Sequence, residues 1–150
     1  MPLTAEYERG TADWANQQID LYESTDGREG NDLRGRPVII LYSIGAKSGK
    51  LRKTPLMRVE HDGEYVVVAS KGGAEKNPTW YYNLKANPHV ELRDLAEVND
   101  FTATELDGAD YDLWWQRAVD TWPDYQKYTE KTDRKIPLFL LEPVGQQPVA

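Results

Sequence analysis

Pro37-Val38-Ile39-Ile40-Leu41-Tyr42 decides the fold. Six residues that are apolar or β-branched, with no polar interruption, suit a strand covered on both faces rather than one with a solvated side. Downstream, Gly45-Ala46-Lys47-Ser48-Gly49-Lys50 turns the chain and residues 51–60 resume as a strand. His61-Asp62-Gly63 signals a tight hairpin, and Tyr65-Val66-Val67-Val68-Ala69 supplies a third strand. Three sequential strands with short turns predict an antiparallel meander.

Farther out, Asn77-Pro78 offers an N-cap followed by proline at the first helical position. The pair predicts a short helix through Trp80, Tyr81 and Leu84 that Pro88 stops. Residues 89–93 and 97–105 alternate as two more strands, with Phe101 and Leu106 inward. Asp107 or Asp110 can cap a helix carrying Leu113, Trp114, Arg117 and Ala118, which breaks near Trp122-Pro123, and residues 136–141 form a last strand. Upstream, residues 24–34 are rich in Gly, Asp and Asn and read as a loop. In residues 4–23, Ala15, Ile19 and Tyr22 fall at i, i+4 and i+7, the spacing of an amphipathic helix.

The outcome is a mostly β protein with helices (α+β). About six antiparallel strands form a closed or nearly closed barrel that avoids exposed edges, with an N-terminal helix, a short central helix and a broken helix in the C-terminal half. At 150 residues the chain has the size of one domain: residues 1–30 give the helix and loop, and residues 36–143 the barrel.

Composition excludes several chemistries. There is no cysteine, which removes disulfides, thiolate metal sites and a cysteine nucleophile. The two histidines, His61 and His89, have no metal-ligand spacing, so no metal is expected. The N-terminus lacks a basic region followed by an apolar run, and no stretch reaches the roughly 18 apolar residues of a membrane span; a cytoplasmic protein is expected. A net charge of −7 argues against nucleic-acid binding, which needs a basic footprint.

The distribution of that charge is more telling. Residues 45–58 hold Lys47, Lys50, Arg52, Lys53 and Arg58 and no acid, a local +5 that leaves −12 for the rest of a chain of −7. Small Ser48 and Gly49 let backbone N–H groups approach an oxyanion, and Lys47 and Arg52 flank the turn to neutralise it, which points to phosphate. The plain alternative is a solvated basic hairpin. The spacing of a P-loop is absent. In Ala69-Ser70-Lys71-Gly72-Gly73-Ala74 a strand ends on two glycines, either a simple turn or a place where backbone lies against a flat ligand. Trp114 and Trp115 read as core, whereas Trp122, Tyr125 and Tyr128, set among Asp124, Gln126, Lys127 and Glu130, read equally as core or as a lid.

Taken in order, Lys47-Ser48-Gly49-x-x-Arg52-x-Thr54-Pro55-Leu56, residues 65–74, and Asn77-Pro78-x-Trp80-Tyr81-x-Asn83-Leu84-x-Ala86-Asn87-Pro88 resemble the deazaflavin-dependent nitroreductase family of actinobacteria. Trp122-Pro123-x-Tyr125-x-x-Tyr128 and Arg134-x-Ile136-Pro137 are similar to the same family. The resemblance implies a split β-barrel and an F420-dependent oxidoreductase that passes a hydride from reduced coenzyme F420 to a quinone, an activated alkene or a nitro compound. It also implies that Lys47, Ser48, Gly49 and Arg52 hold the cofactor's tail phosphate, with Lys50 and Lys53 near its glutamates. Thr54, Pro55 and Leu56 would line the groove, while Ala69, Ser70, Lys71, Gly72, Gly73, Ala74 and Asn83 would lie along the ring. Ser70, Trp80, Tyr125 and Tyr128 would surround the acceptor as catalytic residues. Other split barrels use FMN, which stands as the alternative cofactor, and a non-catalytic carrier of the deazaflavin is a further alternative. Some relatives associate with membranes through the N-terminal helix, but the acidic balance here (Glu6, Glu8, Asp13, Asp20 and Glu23 against Arg9) predicts no stable anchor and at most a peripheral contact. The expected assembly is a monomer or a homodimer.

Overall fold

The structure, a computed structural model, describes residue 3 and residues 5–144. The single domain expected over 1–150 also takes in residues 1, 2, 4 and 145–150, which lie outside the described residues. Chain order runs α1 (Asp13–Ser24), β1 (Asp32–Leu33), β2 (Arg36–Ile44), β3 (Leu51–Met57), β4 (Glu60–His61) and β5 (Glu64–Val68), then a single 3-10 turn at Lys71–Gly73. It continues through α2 (Thr79–Ala86), β6 (His89–Asp94), β7 (Glu97–Glu105), α3 (Gly108–Thr121), α4 (Asp124–Tyr128) and β8 (Leu138–Pro143). The six expected strands are β2, β3 and β5 to β8; β1 and β4 are two-residue additions.

All strand pairs are antiparallel, in the order β1-β2-β6-β7-β8-β5-β4 with β3 on β2, and the sheet curls into a split β-barrel. Alternation along β2 shows why its run has no polar gap. Ile39 and Leu41 enter the barrel core with Val67, Leu92, Phe101 and Phe139, which Trp80 and Leu84 of α2 help to fill. Ile40 and Tyr42 point the other way, onto Ile19 and Tyr22 of α1. A third cluster lies under α3 and α4, where Trp114, Ala118 and Tyr125 pack on Val66, Val68 and Leu138. Full burial of each large apolar side chain contributes roughly 1.5–3 kcal/mol, and the sheet draws on three such covered faces.

The meander is corrected. β2 and β3 form a hairpin, but β5 pairs with β8, Tyr65 opposite Leu141 through Val68 opposite Leu138. The β2–β3 ladder runs one residue past Met57, where the Arg58 N–H donates to the Pro37 carbonyl at 2.9 Å, and only the short stretch from Val59 to His61 meets β5, with Val66 N–H on Val59 O at 3.0 Å. The hairpin predicted at Asp62-Gly63 is present, with φ of 52° and 82°.

Two other expectations shift. Helix α1 begins at Asp13 because residues 6–8 are extended and lie parallel to β3, with Glu8 N–H on Leu51 O (2.9 Å) and Leu51 N–H on Glu6 O (2.8 Å). Its C-terminal end is tied to the barrel through Glu23, which accepts from Tyr42 Oη at 2.7 Å and from Lys53 Nζ at 2.8 Å. Asn77 does not cap α2: Pro78 occupies the N-cap position with no side-chain cap, and Asn77 Oδ1 accepts instead from Arg134 at 2.8 Å.

Candidate functional site

The β2–β3 turn is built from its own small residues. Gly49 takes φ +69° and donates to Gly45 O at 3.0 Å, Gly45 donates to Lys50 O at 2.8 Å, and Ser48 Oγ accepts from Lys50 N–H at 3.2 Å. A Cβ at Gly45 would stand 2.5 Å from Ser48 Oγ. Buried Asn83 of α2 accepts the Ala46 N–H at 2.9 Å and so docks the turn against that helix. The Lys47 and Ser48 amides have no internal acceptor among the described residues.

Between this turn, β3 and α2 lies a cavity of about 690 Å³ lined in part by Lys47, Ser48, Arg52, Thr54, Trp80 and Asn83. Strand register decides which β3 residues reach it. Arg52 lies opposite Ser43 and Thr54 opposite Leu41, on the barrel-core face; Lys53 lies opposite Tyr42 and Pro55 opposite Ile40, on the face under α1. Lys53 touches the cavity margin, but its ammonium is held by Glu23 and lies 4.3 Å from the Tyr7 ring centroid. Pro55 does not line the cavity, and Leu56 packs against the barrel core. Gly49 and Lys50 shape the turn without lining it. A larger cleft of about 810 Å³ opens between the β1–β2 and β6–β7 connections, but Arg58 there is already held by Asp94 at 2.8 Å.

Five lining residues were not among the predicted site residues: Glu8, Gly45, Ala46, Thr79 and Tyr82. Glu8 matters most, since its carboxylate receives Arg52 Nη1 at 2.9 Å. No local pattern announces a pair 44 residues apart that exists only because residues 6–8 lie along β3.

Residues 69–74, expected along the ring, do not line this cavity. Ser70 and Ala69 are buried, and Ala69 packs with Trp80 in the barrel core. Gly73 has φ +84°, and a Cβ there would meet Tyr128 O and Lys131 Cβ at 2.9 Å each, so this turn lies directly on the end of α4. Four acceptors from this region and from Asn77 surround the guanidinium of Arg134. Trp122 Nε1 donates to Tyr128 Oη at 3.3 Å, and the Tyr125 and Tyr128 rings meet edge to face at 6.0 Å. Tyr125 belongs to the cluster under α3, and burial drives its phenol pKa well above the ordinary value. Of the expected acceptor residues, the structure therefore sets Trp80 on the cavity, buries Ser70 at the start of the 69–74 turn, and packs Tyr125 and Tyr128 in the cluster under α3. Among the described residues, no group of three or more His, Cys, Asp or Glu is gathered as for a metal.

Residues 14–143 match the family model described as F420H(2)-dependent quinone reductase. An F420H(2)-dependent quinone reductase of Mycobacterium tuberculosis is 36% identical over 125 residues, covering 81% of this chain and 84% of the relative. A solved structure of an F420-H2 dependent reductase is 52% identical, covers 71% of this chain and 95% of that one, and superposes with a TM-score of 0.68. Another, described as a domain-swapped dimer, is 48% identical, covers 85% and 93%, and has a TM-score of 0.71. The chain belongs to the F420H(2)-dependent quinone reductase family, a family of oxidoreductases that depend on reduced coenzyme F420.

Proposed function

We propose that this protein accepts reduced coenzyme F420 in the cavity beside the β2–β3 turn and delivers its hydride to a quinone. The observation that carries this reading is the pairing of cations with open amides at one end of the cavity. Lys47, Arg52 and the Lys47 and Ser48 N–H groups, which find no acceptor among the described residues, lie at a cavity whose lining carries a single carboxylate, Glu8, in a chain that is acidic elsewhere. That donor set fits a phosphate with an acidic tail. The indole of Trp80 and the small 69–74 backbone suit a flat ring farther in.

When bound, coenzyme F420 supplies two electrons as a hydride. The protein's part is to hold and orient. Lys47 and Arg52 neutralise the phosphate, and Asn83 fixes the turn that carries it. Thr54 and Trp80 bound the space between. Ser70, Trp80, Tyr125 and Tyr128 are assigned to the acceptor end, where a hydroxyl donates a hydrogen bond to the oxygen that gains charge. The Tyr125 phenol, whose pKa burial raises further above its ordinary value of about 10, is protonated at neutral pH like any tyrosine and so can serve as such a donor. The relative described as a domain-swapped dimer supports a homodimer. No helix among the described residues is long and apolar enough to cross a membrane.

The test is a spectral titration with F420 and with FMN, followed by single turnover of the reduced cofactor with a quinone, an enone and a nitroarene. Binding of F420 with rapid oxidation by the quinone is expected. Tight FMN binding without F420 binding would replace the cofactor assignment, faster turnover of the enone or nitroarene would replace the acceptor, and binding without turnover of any acceptor would make the chain a carrier.

A further inference from the structure

We infer that Arg134 is a positioning residue that aims the backbone amides of Ser70 and Lys71 at an acceptor oxygen of the bound ring; this rests on the function proposed above. One guanidinium makes four hydrogen bonds: Nε to Ala74 O at 2.8 Å, Nη1 to Ala69 O at 3.0 Å and to Asn77 Oδ1 at 2.8 Å, and Nη2 to Ser70 O at 2.7 Å. Three of the four acceptors are carbonyls of residues 69–74, reached from 60 to 65 positions away in sequence. No Asp or Glu among the described residues forms an ion pair with it. Withdrawing a cation from water without an anion is costly, and desolvation accordingly lowers the Arg134 pKa, while the phenol of Tyr82 on the cavity wall opposes the shift. What the fold obtains in return is direction. A planar fork with fixed N–H vectors sets three carbonyls at once.

The consequence follows from peptide geometry. In a trans peptide unit the C=O and N–H point opposite ways, and the chain has no cis bonds among its described residues. With the Ala69 and Ser70 carbonyls turned onto Arg134, the N–H groups of Ser70 and Lys71 point away from it. Neither amide finds an acceptor among the described residues, although Gly73 N–H and Ala74 N–H just beyond are both satisfied within the turn, at 2.9 and 3.1 Å. Two neighbouring donors held in this way suit a carbonyl or anionic oxygen on a planar ligand. Lysine keeps the charge but lacks the fork, and so separates direction from electrostatics.

The experiment compares the wild-type protein with Arg134→Lys and Arg134→Gln, using coenzyme F420 and inorganic phosphate as separate probes. In the wild type, the 15N-amide signals of Ser70 and Lys71 shift on F420 addition but not on phosphate addition. In both variants F420 affinity falls about tenfold or more and the absorption band of the bound ring returns toward that of free cofactor, whereas phosphate affinity, read at Lys47 and Arg52, stays within about twofold. Arg134→Lys that matches the wild type in affinity and spectrum overturns the inference alone. Unmoved Ser70 and Lys71 signals on F420 binding also overturn it, and that readout needs no variant to fold. A wild-type chain that binds no F420 overturns the functional reading and this inference with it.

Discussion

The carboxylate of Glu8 lies 2.9 Å from the guanidinium of Arg52, at the end of the cavity where an incoming phosphate would seek the same cation. The cation is therefore held by an internal anion, which the phosphate of the function proposed above would have to displace or share.

Glu8→Gln removes that competitor. The pair is partly exposed, and such pairs are worth up to about 1 kcal/mol, so affinity for F420 and for inorganic phosphate should rise up to about fivefold at low salt. The gain should shrink near 1 M salt, where charges are screened beyond about 3 Å. Isothermal titration at two ionic strengths checks this, and unchanged low-salt affinity would show that Glu8 does not compete.

Register separates neighbouring cations. Arg52→Ala and Lys47→Ala should each weaken F420 binding by roughly ten- to a hundredfold, the loss of one charge-assisted hydrogen bond of about 1.5–3 kcal/mol. Lys53→Ala should leave phosphate affinity within about twofold but destabilise the fold by about 1–3 kcal/mol, because its ammonium serves Glu23 under α1. Titration and urea unfolding on the three variants distinguish the roles; a large affinity loss in Lys53→Ala would contradict the division by strand face.

Glycine 73 offers a paired comparison. Gly73→Ala and Gly63→Ala both place a side chain at φ near +80°, at a cost of roughly 1–2 kcal/mol, but only at Gly73 would the new Cβ crowd Tyr128 O and Lys131 Cβ. Gly73→Ala should cost about 1–3 kcal/mol more than Gly63→Ala and also weaken F420 binding. Equal losses in chemical denaturation would mean that the turn and α4 are not in firm contact.

Alkaline pH should unfold this chain through its buried and half-buried phenols. Burial raises the pKa of Tyr22, Tyr42 and Tyr65, and pushes Tyr111 up to about 12. A raised folded pKa contributes stability that is complete below the unfolded value, about 10, and is lost as pH climbs through the folded values. Melting temperatures should fall progressively above pH 10, and Tyr42→Phe should flatten that decline while lowering stability at neutral pH, where its hydroxyl bonds Glu23. A slope unchanged by Tyr42→Phe would remove this phenol from the account.

Much of the architecture was readable because it is written in local periodicity. Residues 37–42 announced a two-sided strand, and Asp62-Gly63 announced its turn, since one residue's chemistry suffices for each. The partner of β5 was not readable: the same three valines would pair as well with β3, but they lie opposite Leu140, Phe139 and Leu138 of β8, a long-range pairing that no local pattern announces. The site divides in the same way. Lys47, Ser48 and Arg52 were visible as a charge contrast and do line one cavity, and the motif of Trp80 and Asn83 brings them there too. Glu8 and the fourfold use of Arg134 were hidden, because long-range contacts leave no periodic trace. Asn77 misled, since its side chain is as good an acceptor for a guanidinium as for a helix N–H.

The extended segment at residues 6–8 has a bearing on how copies of this chain behave together. Since Leu51 turns its N–H and C=O toward that segment, alternation directs the backbone of Lys53 and Pro55 to the same outer margin of β3. That margin would otherwise be a template on which another chain's strand could grow. Here its first position is already paired, its second carries a cation and its third has no N–H to give. At Pro55 the outer margin of β3 therefore offers no N–H to a strand added from another chain.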